Sequence, residues 1–199
     1  MSDPVYRIAL FLKAPRPGTV KTRLAKDVGD EEACRIYRTL VERQLSQLPS
    51  GWPVDIWVAS AEGIPEMQDW LGKDYQYGSQ VEGDLGERLK AGITGSLARG
   101  GEGVFCLGGD CPELDAAYLA QARKALEEGT EVVFGPTFDG GYSLVGLRSL
   151  IPEIFEGIPW SSSRTLEVSL EKAHQQGRKV HLLNPLSDVD TLADWRGFI

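Results

Sequence analysis

The segment Lys13–Leu24 concentrates positive charge in an otherwise acidic chain. The 199 residues carry a formal net charge of −8, yet four cations lie close together in this segment: Lys13, Arg16, Lys21 and Arg23. Guanidinium groups bind phosphate oxygens through paired hydrogen bonds, and ammonium groups act on them as point charges. Gly18 permits a close approach of the backbone to such a ligand. The segment therefore predicts binding of nucleotide phosphates, with a solvated basic loop as the alternative.

The same segment superficially resembles the phosphate-binding loop of the P-loop enzymes. That motif requires a glycine directly before its lysine. Here Val20 stands before Lys21, and the spacing of the glycines also differs. A P-loop kinase is therefore disfavoured.

Late aspartates have the chemistry of metal ligands. Asp110 lies in Gly108-Gly-Asp-Cys-Pro112, directly after an apolar run typical of a buried strand. Mg²⁺ and Mn²⁺ prefer oxygen ligands, and Mg²⁺ usually takes one or two carboxylates beside substrate phosphates. Asp188 and Asp190 lie on one side of an extended segment, and one of them could supply a second metal carboxylate. Capping of a turn and of the last helix are the alternatives, and Cys111 is expected to be a structural thiol.

The segment Gly135–Tyr142 is the candidate contact for a second substrate. Asp139 can accept hydrogen bonds from a sugar or another acceptor, and the two glycines after it let a ligand lie against the backbone. A tight hairpin turn explains the same Asp-Gly pair equally well. The hydroxyl-rich segment Trp160–Ser163 could bind an anion, although helix capping is the simpler explanation. The predicted acceptor-binding residues are Asp139, Gly140, Gly141, Tyr142 and Ser161.

Further nucleotide contacts are expected from the start of a helix after Asp84. Glu87 and Arg88 stand in its first turn, where they could touch a base or ribose. Asp84 and Glu87 also have the spacing of a capping box, and helix capping is the simpler explanation for these two residues. The predicted nucleotide-binding residues are Lys13, Arg16, Gly18, Lys21, Arg23, Glu87, Arg88 and Gly109. The candidate catalytic residues are Lys21, Arg23 and Asp110.

Strands that alternate with helical segments must position these residues. Strands are predicted at Val5–Leu12, Val54–Ala59, Tyr75–Tyr77, Val104–Leu107, Glu131–Phe134, Tyr142–Leu147 and Lys179–Leu183. The alternation predicts an α/β fold with a Rossmann-like, mainly parallel sheet and helices on both faces, as a single domain over residues 1–199. Ligands of such folds bind beyond the carboxyl ends of the strands. The segments 13–23, 108–112 and 135–141 all follow strands and could therefore converge on one cleft.

Composition narrows the partners. The sequence pI of about 4.9 argues against nucleic-acid binding, which requires a broad basic surface. The apolar stretch Ile8–Leu12 is too short for a signal peptide or a membrane span. Three cysteines without a pairing pattern indicate reduced thiols, so we expect a cytoplasmic protein. The expected partner is a small-molecule substrate, a nucleotide or a nucleotide sugar, because the basic segment Lys13–Leu24 is confined to one loop. An exposed residue among the five tryptophans would mark a homodimer face.

An ordered set of motifs from about Ile8 to about Trp195 resembles a family of glycosyltransferase-A-like proteins. The motifs are KAPRPGTVKTRL, DLGERL, GGDCPEL, GPTFDGGYSLVGL, PWSSS and DVDT. The family is labelled as a domain of unknown function or as transferases of arsenosugar and other secondary pathways. It is similar to 2-phospho-lactate and molybdenum-cofactor guanylyltransferases. The resemblance implies a nucleotide-diphospho-sugar-transferase sheet, phosphates on the first loop, metal on Asp110 and Asp190, and an acceptor beside Asp139–Tyr142.

Two departures from that family refine the expected activity. The first loop is Lys-Ala-Pro-Arg-Pro-Gly rather than a longer run of small residues, and residues 110–112 are Asp-Cys-Pro rather than D-x-D. The missing D-x-D favours nucleotidyl transfer over sugar transfer. The leading hypothesis is a Mg²⁺- or Mn²⁺-dependent nucleotidyltransferase acting from an NTP on a small phosphorylated or acidic acceptor. The alternatives are a glycosyltransferase with a nucleotide-sugar donor and a non-catalytic nucleotide-binding module.

Overall fold

Seven strands form one sheet in the computed structural model, which describes residues 5–199. They are β1 Tyr6–Leu12, β2 Val54–Val58, β3 Gln76–Ser79, β4 Gly103–Leu107, β5 Val132–Pro136, β6 Tyr142–Leu147 and β7 Val180–Leu182. The strand order is β3-β2-β1-β4-β6-β5-β7. Of these seven strands, only β6 runs antiparallel to its neighbours. The predicted mainly parallel sheet is therefore confirmed.

Helices join and flank the strands. They are α1 Thr22–Val28, α2 Asp30–Gln47, α3 Ile64–Leu71, α4 Leu85–Ala98, α5 Ala116–Glu127, α6 Thr165–Gln175 and α7 Leu192–Phe198. Asp84 caps α4 by accepting a hydrogen bond of 3.0 Å from the Glu87 amide. Asp115 caps α5 in the same way through the Tyr118 amide, at 2.8 Å. Short polar side chains thus satisfy amide groups that a helix leaves unpaired at its start.

Side chains from β1 alternate between two buried layers. Ile8 and Leu10 pack with residues of α2 and α5 on one face of the sheet. Ala9 packs with Leu89 and Ile93 of α4 on the other face. Successive residues of a strand point to opposite faces, so the sheet is covered on both sides, as predicted. Polar groups can then gather only at the ends of the strands.

Strands β5 and β6 form a hairpin whose loop returns toward the ends of β1 and β4. The Thr137 amide donates to the Gly141 carbonyl at 3.0 Å, and the Gly140 amide donates to the Thr137 carbonyl at 3.1 Å. Because β6 is antiparallel to both β4 and β5, β5 runs in the direction of β4. The hairpin loop therefore lies at the same edge of the sheet as the segments after β1 and β4.

Helix α1 begins inside the segment that was expected to be a loop. Thr22 is its first residue, and Lys21 stands at its N-cap with a φ of 45°. The helix buries only Leu24, which leaves too little apolar periodicity to predict it from sequence. Helix α2 follows directly, with Gly29 as its N-cap.

Two further expectations concern partners. No helix in the described range 5–199 is long and apolar enough to cross a bilayer. The five tryptophans are buried or partly buried, and none is exposed. No tryptophan therefore marks a dimer face, and the homodimer stays a prediction.

Candidate active site

A cleft of about 300 Å³ opens at the carboxyl ends of β1 and β4. Its lining comprises Phe11, Lys13, Val20, Lys21, Thr22, Arg23, Tyr37, Gly108, Gly109, Asp110 and Asp190. We call it the cationic cleft, because three of the four predicted cations line it. Both predicted metal ligands line it as well, although Lys21 and Asp190 come from opposite ends of the sequence. Gly109 also has a packing role, since a Cβ there would lie 2.5 Å from Leu12 Cδ2.

Lys21 joins the two predicted metal ligands. Its ammonium lies 3.1 Å from Asp110 Oδ2 and 2.9 Å from Asp190 Oδ1, and its side chain is 7% exposed. Burial alone would lower the pKa of Lys21, but the charges of the two aspartates and their hydrogen bonds raise it above its usual value. Lys21 is therefore charged at neutral pH, and the two carboxylates converge on a single cation.

The carboxylate of Asp190 belongs to this cleft rather than to the helix that follows it. Thr191, not Asp190, caps α7, and it exchanges hydrogen bonds with Asp194 in a capping box. Helix capping, the alternative for Asp190, is therefore wrong. Arg23 Nη1 lies 3.3 Å from Asp190 Oδ2. The carboxylate thus faces two cations of the first loop.

Tyr37 of α2 fixes the start of the first loop. Its hydroxyl donates to the Lys13 carbonyl and accepts from the Lys13 amide, in each case at 3.0 Å. Burial raises the pKa of Tyr37 above its usual value, so the hydroxyl keeps the proton that it donates. The Lys13 side chain remains exposed and lines the cationic cleft. The backbone that carries this side chain is therefore fixed beside the cleft.

Two residues of the first loop lie outside the cationic cleft. Arg16 Nε is 2.8 Å from Glu66 Oε2 in an exposed ion pair. Gly18 has a φ of 78°, and a Cβ there would lie 3.3 Å from Asp30 Oδ2. These contacts give Arg16 and Gly18 structural roles, and their predicted contacts with a nucleotide stay predictions.

The first turn of α4 is also outside the cationic cleft. Glu87 pairs with Lys90, whose Nζ lies 2.7 Å from Glu87 Oε1. Arg88 is partly buried, and its Nε has no hydrogen-bond partner among the described residues. Neither residue lines either of the cavities beside Asp110. The expected contact of this turn with a base or ribose is thus a prediction that the geometry does not support.

A second cavity of about 360 Å³, here the adjoining pocket, shares Phe11, Gly108 and Asp110 with the cationic cleft. Its other lining residues are Leu85, Leu89, Cys106, Leu107, Thr137, Asp139, Gly141, Tyr142, Ser143, Val145, Trp160, Ser161, Ser162, Thr165 and Asp188. Four of the five predicted acceptor residues therefore line it, and Gly140 does not. Ser143 was not among the predicted site residues, because nothing separates its hydroxyl from others in an apolar strand.

The hairpin loop uses Asp139 and Gly140 partly for its own structure. Asp139 Oδ1 accepts hydrogen bonds from the Thr137 hydroxyl at 2.5 Å and from the Gly141 amide at 3.0 Å. Gly140 has a φ of 90°, and a Cβ there would lie 2.1 Å from the Ser163 carbonyl oxygen. The turn interpretation of this segment is therefore correct for its backbone, while one edge of Asp139 still lines the adjoining pocket.

Asp188 is a candidate that the predicted site lacked. The spacing placed it beside Asp190, but Asp188 lines the adjoining pocket and Asp190 the cationic cleft. Burial and the nearby charge of Asp110 raise the pKa of Asp188 to about 8. Its buried Oδ1 has no hydrogen-bond partner in the described part of the chain. The segment Asp188-Val-Asp190 is held there by Val189, whose amide donates to the Asp110 carbonyl at 2.9 Å.

Known structures share this fold. A provisionally named nucleotide-diphospho-sugar transferase from Desulfovibrio desulfuricans G20 is 32% identical, with a TM-score of 0.91 over 97% of this chain and 85% of that one. A CMP:2-keto-3-deoxy-manno-octonic acid synthetase, solved with CTP, is 11% identical, with a TM-score of 0.57 over 98% of this chain and 96% of that one. Rv0371c of Mycobacterium tuberculosis, solved with manganese, is 16% identical, with a TM-score of 0.56 over 98% and 97%.

The last two likenesses, at low identity, show a common fold and nothing more. No sequence among curated proteins matches the chain. Residues 44–162 match the family described as uncharacterized protein conserved in bacteria, DUF2064. That range contains Asp110 and the hairpin loop, whereas Lys21 and Asp190 lie outside it. The chain belongs to the DUF2064 family, and it has the fold of the nucleotide-diphospho-sugar transferases.

Proposed function

We propose that this chain is a metal-dependent transferase that moves a nucleotidyl group from an NTP to a small acceptor. The observation that carries the proposal is the bridge from Lys21 to Asp110 and Asp190 in the cationic cleft. It combines fixed positive charge for phosphates with two carboxylates that already converge on one cation. The description of the 32% identical relative from Desulfovibrio desulfuricans as a nucleotide-diphospho-sugar transferase supports a ligand that contains a nucleotide.

The two aspartates fit a divalent cation. Their oxygens lie about 3 Å from the same Lys21 ammonium, so both can reach one cation position, and oxygen is the ligand that Mg²⁺ and Mn²⁺ prefer. In the described range 5–199, no cluster of three or more acidic, histidine or cysteine side chains could hold a metal. Phosphate oxygens would therefore complete the coordination shell, as is usual for Mg²⁺. When bound, the metal supplies charge stabilisation at the phosphate that reacts.

The cationic residues of the cleft have separate roles in binding the phosphates and in stabilising the charge that develops on them. Lys13 and Arg23 lie where they can neutralise the outer phosphates and the pyrophosphate that leaves. Lys21 can turn its ammonium from the aspartates to a phosphate oxygen, which then replaces the carboxylates as its partner. Such charged groups, fixed before the reaction, stabilise the charge that develops during phosphate transfer. No protein nucleophile is required, because positioning brings the acceptor to the α-phosphate.

A thermal-shift screen with each of the four NTPs, with and without Mn²⁺, tests the proposal. A nucleotide at 100 times its Kd contributes about 2.7 kcal/mol, which raises Tm by about 5 °C or more in a chain of this size. We expect Asp110→Asn to remove the metal-dependent part of that shift. Glu128→Gln, which removes the same charge from an exposed site directly after α5, should not. If no nucleotide stabilises the wild type, the proposal is wrong.

Sugar transfer from a nucleotide-sugar donor is the second candidate. The aromatic and hydroxyl lining of the adjoining pocket favours it, as does the description of the relative from Desulfovibrio desulfuricans. The released product separates the two reactions. Nucleotidyl transfer releases pyrophosphate, and sugar transfer releases a nucleoside phosphate from the nucleotide sugar. Nucleotide binding without either product would identify a non-catalytic binding module.

The state of the thiols supports a location in a reducing compartment such as the cytoplasm. Cys34, Cys106 and Cys111 are all free and buried. Burial raises the pKa of Cys111 to about 12, so its thiol is protonated and a poor nucleophile at neutral pH. A structural thiol beside Asp110 is therefore proposed, rather than a catalytic one.

A further inference from the structure

We propose that the adjoining pocket takes an uncharged or cationic hydroxylated ring, such as a sugar, and disfavours a phosphorylated or carboxylated one. The inference rests on the proposed function, in which this pocket receives the acceptor or the transferred sugar. It replaces the expectation of a phosphorylated or acidic acceptor. Four observations carry it: the charges in the lining, the engagement of nearby cations, the shape of the lining, and one unpartnered carboxylate oxygen.

The charges in the lining have one sign. Asp110, Asp139 and Asp188 line the adjoining pocket, and no lysine, arginine or histidine appears among the described residues that line it. The cationic cleft on the other side of Asp110 has three such cations. A phosphate placed in the adjoining pocket would lose water without gaining a cation and would face carboxyl groups, which is unfavourable.

Three cations near the adjoining pocket are engaged elsewhere. Arg164 follows the serines of the pocket, but its Nε lies 3.1 Å from Glu167 Oε2. Lys90 of α4 pairs with Glu87 and Glu156. Lys21 bonds to Asp110 from the side of the cationic cleft. An anion in the adjoining pocket would therefore have to draw one of these three cations away from its partner, or recruit Arg88, which is partly buried and lines neither cavity.

The lining has an apolar side and a hydroxyl side. Phe11, Leu89, Tyr142, Val145 and Trp160 supply apolar surface, and the Tyr142 and Trp160 rings meet edge to face with centroids 6.3 Å apart. Hydroxyl groups come from Ser143, Ser161, Ser162 and Thr165. Mostly apolar walls with a few convergent polar groups are typical of small-molecule sites. A sugar ring matches this division, because its C–H face is apolar and its hydroxyls lie at the rim.

Asp188 provides the most specific contact. Its Oδ1 is buried without a hydrogen-bond partner among the described residues, a costly state that a donor from the ligand would relieve. A hydroxyl or an ammonium group of the ligand can donate that hydrogen bond. Sites that hydrogen-bond a substrate hydroxyl discriminate strongly against ligands that lack it. Asp188 therefore favours a ligand that carries a hydrogen-bond donor.

The test compares ligands that differ only in charge. Saturation-transfer NMR measures binding of glucose, glucosamine and glucose 6-phosphate, and of the matching galactose and mannose sets, at constant ionic strength. For at least one set we expect the neutral and amino forms to bind at least tenfold more tightly than the phosphate ester. Asp139→Asn, whose amide oxygen preserves much of the local geometry, should reduce that ratio to threefold or less. Glu128→Gln, far from the pocket, should leave it at tenfold.

Two results would overturn the inference: a phosphate ester that binds as tightly as its neutral sugar, or no binding of any neutral or amino sugar. The measurement is made with and without CTP and Mn²⁺, and CTP binding is recorded on the same samples. Sugar selectivity without CTP binding would refute nucleotide transfer from CTP but retain this inference. CTP binding with the opposite selectivity would refute only the inference.

Discussion

At the scale of single residues, Lys21 occupies the position between Asp110 and Asp190 that a divalent cation would share. Replacing it with methionine removes this internal cation while retaining much of the apolar stem. We expect Lys21→Met to bind Mn²⁺ at least tenfold more tightly in the absence of nucleotide, because both carboxylates lose their partner. A tenfold change corresponds to about 1.4 kcal/mol. Isothermal titration calorimetry with MnCl₂ alone measures it.

The matched control for that variant is Arg16→Met. Arg16 belongs to the same loop and has the same charge, but it pairs with Glu66 outside the cleft. Its loss should leave the Mn²⁺ affinity within about twofold, since exposed ion pairs contribute little. An unchanged Mn²⁺ affinity in Lys21→Met would show that the lysine and the metal do not compete.

Arg23 and Arg16 give a second comparison, for nucleotides. Both arginines are exposed, but only Arg23 lines the cationic cleft. We expect Arg23→Ala to weaken binding of the best NTP by roughly tenfold, because a charge-assisted hydrogen bond contributes about 1.5–3 kcal/mol. Arg16→Ala should change it by less than about twofold. Equal effects in a fluorescence titration would mean that the loop acts only through its net charge.

At the scale of elements, the hairpin loop between β5 and β6 depends on Gly140. An alanine there would combine the strain of a φ of 90° with a contact of 2.1 Å to the Ser163 carbonyl oxygen. Gly129 has a similar φ of 97°, but nothing lies within 4 Å of its Cβ position. We expect Gly129→Ala to cost about 1 kcal/mol and Gly140→Ala at least about 3 kcal/mol. Urea unfolding measures both, and equal costs would exclude the contact as the cause.

Elements with strong local signals were predictable. Asp84 has the spacing of a helix cap before Glu87, and it caps α4 as expected. Helix α1 was not predictable, because it buries a single residue, Leu24. The antiparallel direction of β6 was also hidden, since apolar runs do not encode the direction in which a strand pairs.

The site was likewise predictable where it depends on local sequence and unpredictable where it depends on long-range contacts. The basic segment Lys13–Leu24 and the acidic segment around Asp190 were each visible in the sequence. Their contact, however, joins Lys21 to Asp190, which lie 169 positions apart. The assignment of Asp188 to a different cavity from Asp190 depends on how Val189 is held against Asp110. That backbone contact has no sequence signature. The residue types were therefore predictable, whereas their distribution between two cavities was not.

At the scale of the whole molecule, the amino end of the sheet is closed by a buried ion cluster. Asp55 of β2 is fully buried and lies 2.7 Å from Arg7 Nη2 and 2.9 Å from Arg99 Nη1. Removing one partner of such a cluster leaves uncompensated buried charge. We therefore expect Asp55→Asn to destabilise the fold by about 3 kcal/mol. The cationic cleft is at the opposite end of β1, so the nucleotide affinity of the folded variant should be unchanged.

Acid should abolish the contribution of the Asp55 ion cluster to the stability of the wild type. Burial favours a higher pKa for Asp55, but hydrogen bonds from Arg7, Ser96 and Arg99 prevail and hold the pKa below its usual value. The stabilisation is then complete above the pKa of the unfolded chain, about 3.9, and is lost as pH falls through the lower folded value. In urea unfolding between pH 7 and 3, the gap between wild type and Asp55→Asn should narrow only below about pH 4. A gap that narrows near pH 6 would point to another group.

The internal cation at Asp110 and Asp190 also bears on what the protein requires at rest. Lys21 and Arg23 already balance the negative charges of these two carboxylates. Removal of divalent ions therefore leaves no uncompensated repulsion between the segments that carry Asp110 and Asp190. We expect EDTA to shift the melting temperature by less than about 1 °C, unlike a structural zinc protein, which unfolds when stripped. A shift of several degrees would contradict this expectation. A small shift means that the folded protein tolerates changes in the cellular magnesium concentration when no substrate is bound, and that it requires the ion only during turnover.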